Sequence, residues 1–151
     1  TIRSGMYSRF LQEINPNITV VGKACPLFVP LVEEGWLKDP VTEEVARRYL
    51  EELTRVEIDV LILGCTHYPL LRSTVKKVVG GQVELVNPAY ETAQELKRLL
   101  ADQDLLNPGV KEEEFPYRFY VSDAAEKFKQ FANSILPYDV RVTQQINIEE
   151  Y

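Results

Sequence analysis

Three short apolar runs, ITVV at 18–21, VLIL at 60–63 and VELV at 83–86, alternate with stretches of helical periodicity, and this alternation constrains the fold more than any other feature. The runs are rich in β-branched residues and too brief for helices. The second is continuously apolar, as a strand buried on both faces is. Between the first two, Val41, Val45, Tyr49, Leu53 and Val56 recur at spacings of three and four and so share one helical face. Asp39 followed by Pro40 predicts an N-cap and a first helical residue. A further helix opens at Pro69, runs through Leu70, Leu71, Val75 and Val78, and is closed by Gly80-Gly81. Helices are also expected over 7–14 and 89–100. Such an order predicts an α/β fold with a parallel, doubly wound three-layer sheet.

Beyond residue 100 the texture changes. Residues 102–115 are polar, carry Pro108-Gly109 and the run Lys111-Glu112-Glu113-Glu114, and read as a loop with a solvated charge cluster. A strand over 117–121 and a helix over 124–135, with Phe128 and Phe131 facing inward, are expected next. Val140, Val142, Ile146 and Ile148 point to a last extended segment.

Composition narrows the function. A chain of 151 residues, 45% hydrophobic and 26% charged, is long enough to bury one sizeable core. Its net charge of −6 and lack of a basic stripe argue against nucleic acid and against an anionic membrane surface, which need clustered Lys and Arg. Lys76-Lys77 reads as the solvated C-terminal turn of a helix. The two cysteines make no disulfide framework, and there is no signal peptide or long apolar span. The expectation is a reduced, cytoplasmic protein.

The chemistry gathers at the end of the second apolar run, in Leu63-Gly64-Cys65-Thr66-His67-Tyr68-Pro69. In open parallel sheets, ligands bind beyond the carboxyl ends of strands. Gly64 lets the backbone turn sharply, and the start of the next helix offers N–H groups to a carboxylate and favours a thiolate. His67, the sole histidine, can act as acid, partner or orienter for Cys65. A buried thiol beside a hydrogen-bonded imidazole is an equally good structural reading of that pair. Cys25, Cys65 and His67 fall one short of a structural zinc set and lack its spacing, so no metal is expected.

The stretch LILGCTHYPLL at 61–71 resembles a signature of the aspartate/glutamate racemase family. The block ACPLFVPLVE at 24–33 resembles one found in the family's glutamate-specific members, and TIRSGMY at the start and Glu91-Thr92-Ala93 fit the same pattern. The resemblance covers most of residues 1–100. It implies a cofactor-independent racemase that inverts the Cα of glutamate with two thiols, one on each face. Cys65 is then one catalytic thiol, His67 its assisting and substrate-binding neighbour, and Thr66 a substrate-binding residue. Glu33 is the carboxylate that helps this cysteine–histidine pair, with a surface carboxylate as its alternative. Cys25 lies in a block whose cysteine packs near the site.

The same resemblance implies two similar domains with the site between them. Residues 1–86 then form most of the second domain, and 87–151 the segment that completes the first. The other thiol lies in an N-terminal half not contained in these residues. A chain opening at Thr1 without Met is therefore expected to carry half a site, to be inactive alone, and to expose Phe119, Phe128 and Phe131. The substrate is a small molecule, the full-length enzyme a homodimer, and the role a bacterial one, D-glutamate for peptidoglycan. An aspartate or hydantoin racemase, or a binding domain retaining a half-site, is the alternative.

Overall fold

The computed structural model describes residues 2–107, 109 and 117–150. The chain forms two compact units, Thr1–Glu91 and Thr92–Tyr151. In the first, α1 (Met6–Ile14), α2 (Phe28–Glu33) and α3 (Pro40–Arg55) precede β1 (Val60–Ile62). A 3-10 turn (Tyr68–Leu71), α4 (Arg72–Val79) and β2 (Glu84–Val86) follow. α5 (Pro88–Asp102) runs across the boundary between the units.

β1 and β2 pair in parallel, Val60 opposite Glu84, Leu61 opposite Leu85 and Ile62 opposite Val86. The expected parallel sheet is therefore present, but the run at 18–21 is not one of its strands. Ile18 and Val20 are half-buried while Thr19 and Val21 are exposed, which is strand-like alternation, yet no described residue forms a ladder with them. β-Branched residues fit a pleated surface, but a strand exists only where a neighbour takes its hydrogen bonds. A sheet of two strands also leaves β1 less covered than a strand buried on both faces. Val60 is 46% exposed, and full burial is reached only at Leu63, one residue past the strand.

α3 starts where expected: the Asp39 side chain accepts the Val41 N–H at 2.8 Å, with Pro40 at the first helical position. Its buried face keeps Leu53 but is otherwise shifted from the expected one. Thr42, Ala46, Leu50 and Leu53 face the core, whereas Val41 and Val56 are about half exposed and Val45 and Tyr49 half-buried. α3 packs against its neighbour α4. The hydroxyls of Thr42 and Thr74, both buried, donate at 2.6 Å to the carbonyls of Trp36 and Leu37. Burial thus leaves neither hydroxyl unsatisfied, and both helices grip the same connecting loop.

The helix expected from Pro69 opens with the 3-10 turn, in which the Leu70 N–H reaches the His67 carbonyl at 3.0 Å, and becomes α-helical at Arg72. Val79 rather than Val78 is its buried C-terminal residue, and Gly80 closes it at φ +94°. Lys77 pairs with Glu43 of α3, and Lys76 donates to the carbonyls of Gly81 and Val83, so the first links α4 to α3 and the second ties down the loop before β2. Leu53, Leu71, Val32 and Val75 are the largest fully buried side chains of this unit.

In the second unit β3 (Phe119–Val121) pairs in parallel with β4 (Thr143–Gln145), and α6 (Ala125–Ile135) connects them. Among its described residues Ala132 and Val140 are buried, with the Val140 N–H donating to Asn133 Oδ1 at 2.6 Å. Phe131 is half-buried, but Phe128 is 36% exposed and leans on Phe119 with ring centroids 5.9 Å apart. The inward face of α6 is therefore centred on Ala132. The expected last extended segment is confined to β4, while Val142 is exposed and Ile148 belongs to a 3-10 turn. Pro108 and the run Lys111–Glu114 lie outside the described residues. Among those described, no helix is long and apolar enough to cross a membrane.

Replacing Asp39 by Ala removes the cap of the longest helix. The expected cost is about 1 kcal/mol, read as a lower urea midpoint with unchanged slope, whereas Asp39→Asn retains nearly all the stability.

Candidate active site

The loop that leaves β1 is short and tightly held. The Leu63 N–H continues the ladder to the Val86 carbonyl at 2.9 Å, and the Cys65 N–H turns back to the Leu63 carbonyl at 2.8 Å. This bond across two residues closes a γ-type turn centred on Gly64, and it brings Cys65 out at the carboxyl end of the strand, half-buried and with a free thiol. Gly64 has no left-handed φ, and a β-carbon there would meet the Tyr7 ring at 3.5 Å, an ordinary contact. The turn is thus made by hydrogen bonding rather than by glycine's extra freedom.

Past the turn, His67 links two of the expected site residues. Thr66 Oγ1 lies 3.0 Å from His67 Nδ1, and Glu33 Oε1 lies 3.6 Å from Nε2. The first is a hydrogen bond. The second is an electrostatic contact, longer than a hydrogen bond. With a carboxylate facing Nε2, the consistent neutral tautomer carries its proton there, and Nδ1 accepts from the Thr66 hydroxyl. The His67 side chain is 25% exposed and that of Glu33 47%, so water reaches both. Thr66, His67 and Glu33 therefore form one connected set, and Cys65 sits beside it on the same loop.

Glu33 is aimed by the end of α2. The Trp36 N–H reaches the Leu31 carbonyl and the Gly35 N–H the Val32 carbonyl, both at 2.9 Å, with Gly35 at φ +75°. This is a Schellman cap with glycine at C′, and it fixes Glu33 in the last helical turn. α2 is pinned at its other end by aromatic side chains. Phe28 meets Tyr49 and Tyr68 edge to face at 5.5 and 5.3 Å, the Leu27 N–H donates to Tyr49 Oη at 3.2 Å, and Tyr68 Oη donates to the Cys25 carbonyl at 2.9 Å. Tyr68, Tyr49, Phe28 and Gly35 are supporting residues to which the sequence pattern assigns no role at the site. The available signals were the Tyr-Pro step after His67 and the Glu-Gly step that marks a helix end.

The second thiol is of another kind. Cys25 is 3% exposed, and burial pushes its thiol up to about 11, so it keeps its proton at neutral pH. Among the described residues no group of three or more His, Cys, Asp or Glu side chains is arranged to hold a metal ion.

These differences give two expectations. At pH 8 about one Cys25 in 1,000 is thiolate, so iodoacetamide should add once per folded chain, at Cys65. Mass spectrometry should show that adduct lost in Cys65→Ser and a second one gained in denaturant. A folded-state value above the unfolded one means stability present below the unfolded value and lost as pH rises through the folded one. The buried thiol should therefore cost roughly 3 kcal/mol of stability between pH 8 and 11. The gap in urea midpoint between wild type and Cys25→Ala should close over that range, and a constant gap would show that Cys25 does not titrate late.

No family model matches the chain. It is 40% identical over 149 residues to a glutamate racemase of Geobacter metallireducens, spanning 99% of this chain and 54% of that one. It is also 38% identical over 151 residues to one of a Thermoanaerobacter species, covering 56% of that protein. Among solved structures, glutamate racemase of Francisella tularensis in complex with D-glutamate superposes with a TM-score of 0.87 at 34% identity, covering all of this chain and 56% of the other. The RacE1 isoform of Bacillus anthracis superposes at 0.89 and 32% identity, covering 98% and 54%. The chain spans about half the length of the curated relatives it matches. Its similarity in sequence and fold to glutamate racemases runs from end to end of the chain, which corresponds to the C-terminal part of these relatives.

Proposed function

We propose that these residues supply one side of the active site of a glutamate racemase, with Cys65 as one of two acid/base thiols. The observation that carries the reading is the accessible Cys65 at the carboxyl end of β1, beside the connected Thr66, His67 and Glu33. Racemisation without a cofactor removes the Cα proton from one face and returns a proton to the other, so two groups must flank the carbon. In this reading the Cys65 thiolate takes the proton from one enantiomer, and in the reverse direction its thiol returns one. Thr66 and His67 bind the substrate's polar groups, and Glu33 steadies His67.

Cys25 is the only other cysteine of the sequence, and at 3% exposure its sulfur is closed off from a substrate carbon. The second thiol is accordingly assigned to polypeptide outside these residues. Residues 1–86 are taken as most of one domain and 87–151 as the segment that completes another, a reading supported by the change of compact unit within α5. A cytoplasmic homodimer making D-glutamate for peptidoglycan is the corresponding full-length protein.

NMR of α-proton exchange in deuterated water tests the assignment with L- and D-glutamate. The chain alone is expected to exchange one enantiomer at most, with no net racemisation, and Cys65→Ala should abolish the exchange. Racemisation of both enantiomers by the chain alone would overturn the one-thiol reading. Exchange that survives Cys65→Ala would remove Cys65 as the base.

A further inference from the structure

We infer that Tyr68 is a positioning residue, whose ring and hydroxyl clasp the segment ending in Glu33 against the turn that carries His67 and so set the separation of that pair. The inference rests on the proposed catalytic role of Cys65 and His67 and adds a residue that works through them.

Glu33 and His67 come from different segments, and their own contact does not fix their distance. At 3.6 Å, with the carboxylate side chain 47% exposed, it is a solvated electrostatic contact of the kind that contributes little by itself. The cross-connection between the two segments lies one residue further along. Tyr68 Oη donates to the Cys25 carbonyl across a sequence separation of 43, and its ring stands edge-on to Phe28, the first residue of α2. Tyr68 follows His67 directly, where the 3-10 turn begins. With three residues per turn, adjacent side chains point about 120° apart, which lets Tyr68 reach the start of α2 while His67 meets its end.

The phenol is suited to a fixed donor. Burial, and after it the neighbouring Cys25 thiol, raise it above its ordinary value, so it holds its proton at neutral pH, and its hydrogen bond goes to a backbone carbonyl. α2 is also held from the other side, where Tyr49 of α3 meets Phe28 and accepts the Leu27 N–H. That contact braces the same helix from α3, through Phe28 and Leu27 rather than through His67 or Glu33. Tyr49→Phe is therefore the control that separates positioning from general bracing.

The chain has a single histidine, so its imidazole nitrogens can be followed without ambiguity by long-range proton–nitrogen NMR, with or without catalysis. Glu33→Gln should move the Nδ1 and Nε2 resonances. Tyr68→Leu should move them the same way, Tyr68→Phe should restore most of the wild-type positions by keeping the ring, and Tyr49→Phe should leave them in place. On Cys65-dependent exchange, Tyr68→Leu should lower the saturated rate about tenfold and change half-saturation by less than about twofold. Resonances that stay at wild-type positions in Tyr68→Leu would overturn the inference. So would resonances that move as far in Tyr49→Phe, or that do not respond to Glu33→Gln. If Tyr68→Leu does not fold, Tyr68→Phe decides: a partial displacement supports the clasp and none refutes it. Absence of any exchange bears only on the proposed function, because the resonances are read independently of it.

Discussion

Parallel strands cannot be joined by a tight turn, and the structure follows from that constraint. To bring β2 alongside β1 in the same direction the chain must leave the carboxyl end of β1, travel back, and re-enter, and α4 makes that return. The exit must be compact, because Leu63 is still in the ladder and the 3-10 turn begins at Tyr68. Cys65, Thr66 and His67 occupy this exit. The candidate site falls there because the crossover brings polar backbone and side chains out at one end of an otherwise apolar layer.

The opposing side of the site is built by different means. α2 is only six residues long, and by itself so short a helix has little intrinsic stability. It is held by what surrounds it: buried Phe28 and Val32 on its inner face, aromatic edges at its start, and a left-handed glycine at its end. The acidic side chain is thus presented by a rigid end while remaining open to water. The two thiols make the same division: Cys25 contributes buried volume under this helix, and Cys65 contributes an accessible sulfur.

Much of this was legible in the sequence, for reasons that differ from element to element. Asp39-Pro40 announced the start of α3 because capping is local chemistry. Leu53 lies on the buried face of α3 as its periodicity indicates, but that face is shifted to Thr42, Ala46 and Leu50, which carry less apolar weight in the pattern than the valines at 41, 45 and 56. The run at 18–21 has strand composition, but pairing depends on a neighbour that composition does not specify. Cys65, Thr66 and His67 stood out because they are contiguous. Glu33 was reached through family resemblance alone, since no periodicity connects it with His67, and the tyrosine that joins the two segments went unweighed because its partner is a backbone carbonyl, which leaves no trace in a pattern of residue types.

The distance along the chain between Tyr68 and the Cys25 carbonyl has a kinetic side. Local elements such as α3, with its own cap and its ladder of exposed ion pairs, can form early in folding. Closing a loop of more than forty residues to join the two segments demands that chain entropy be given up before the contact returns anything. A partly folded molecule can therefore possess the long, locally capped α3 and a free Cys65 thiol while its histidine and glutamate remain strangers. Assembly of that pair reports completion of the fold, and its loss would be among the first signs of local opening.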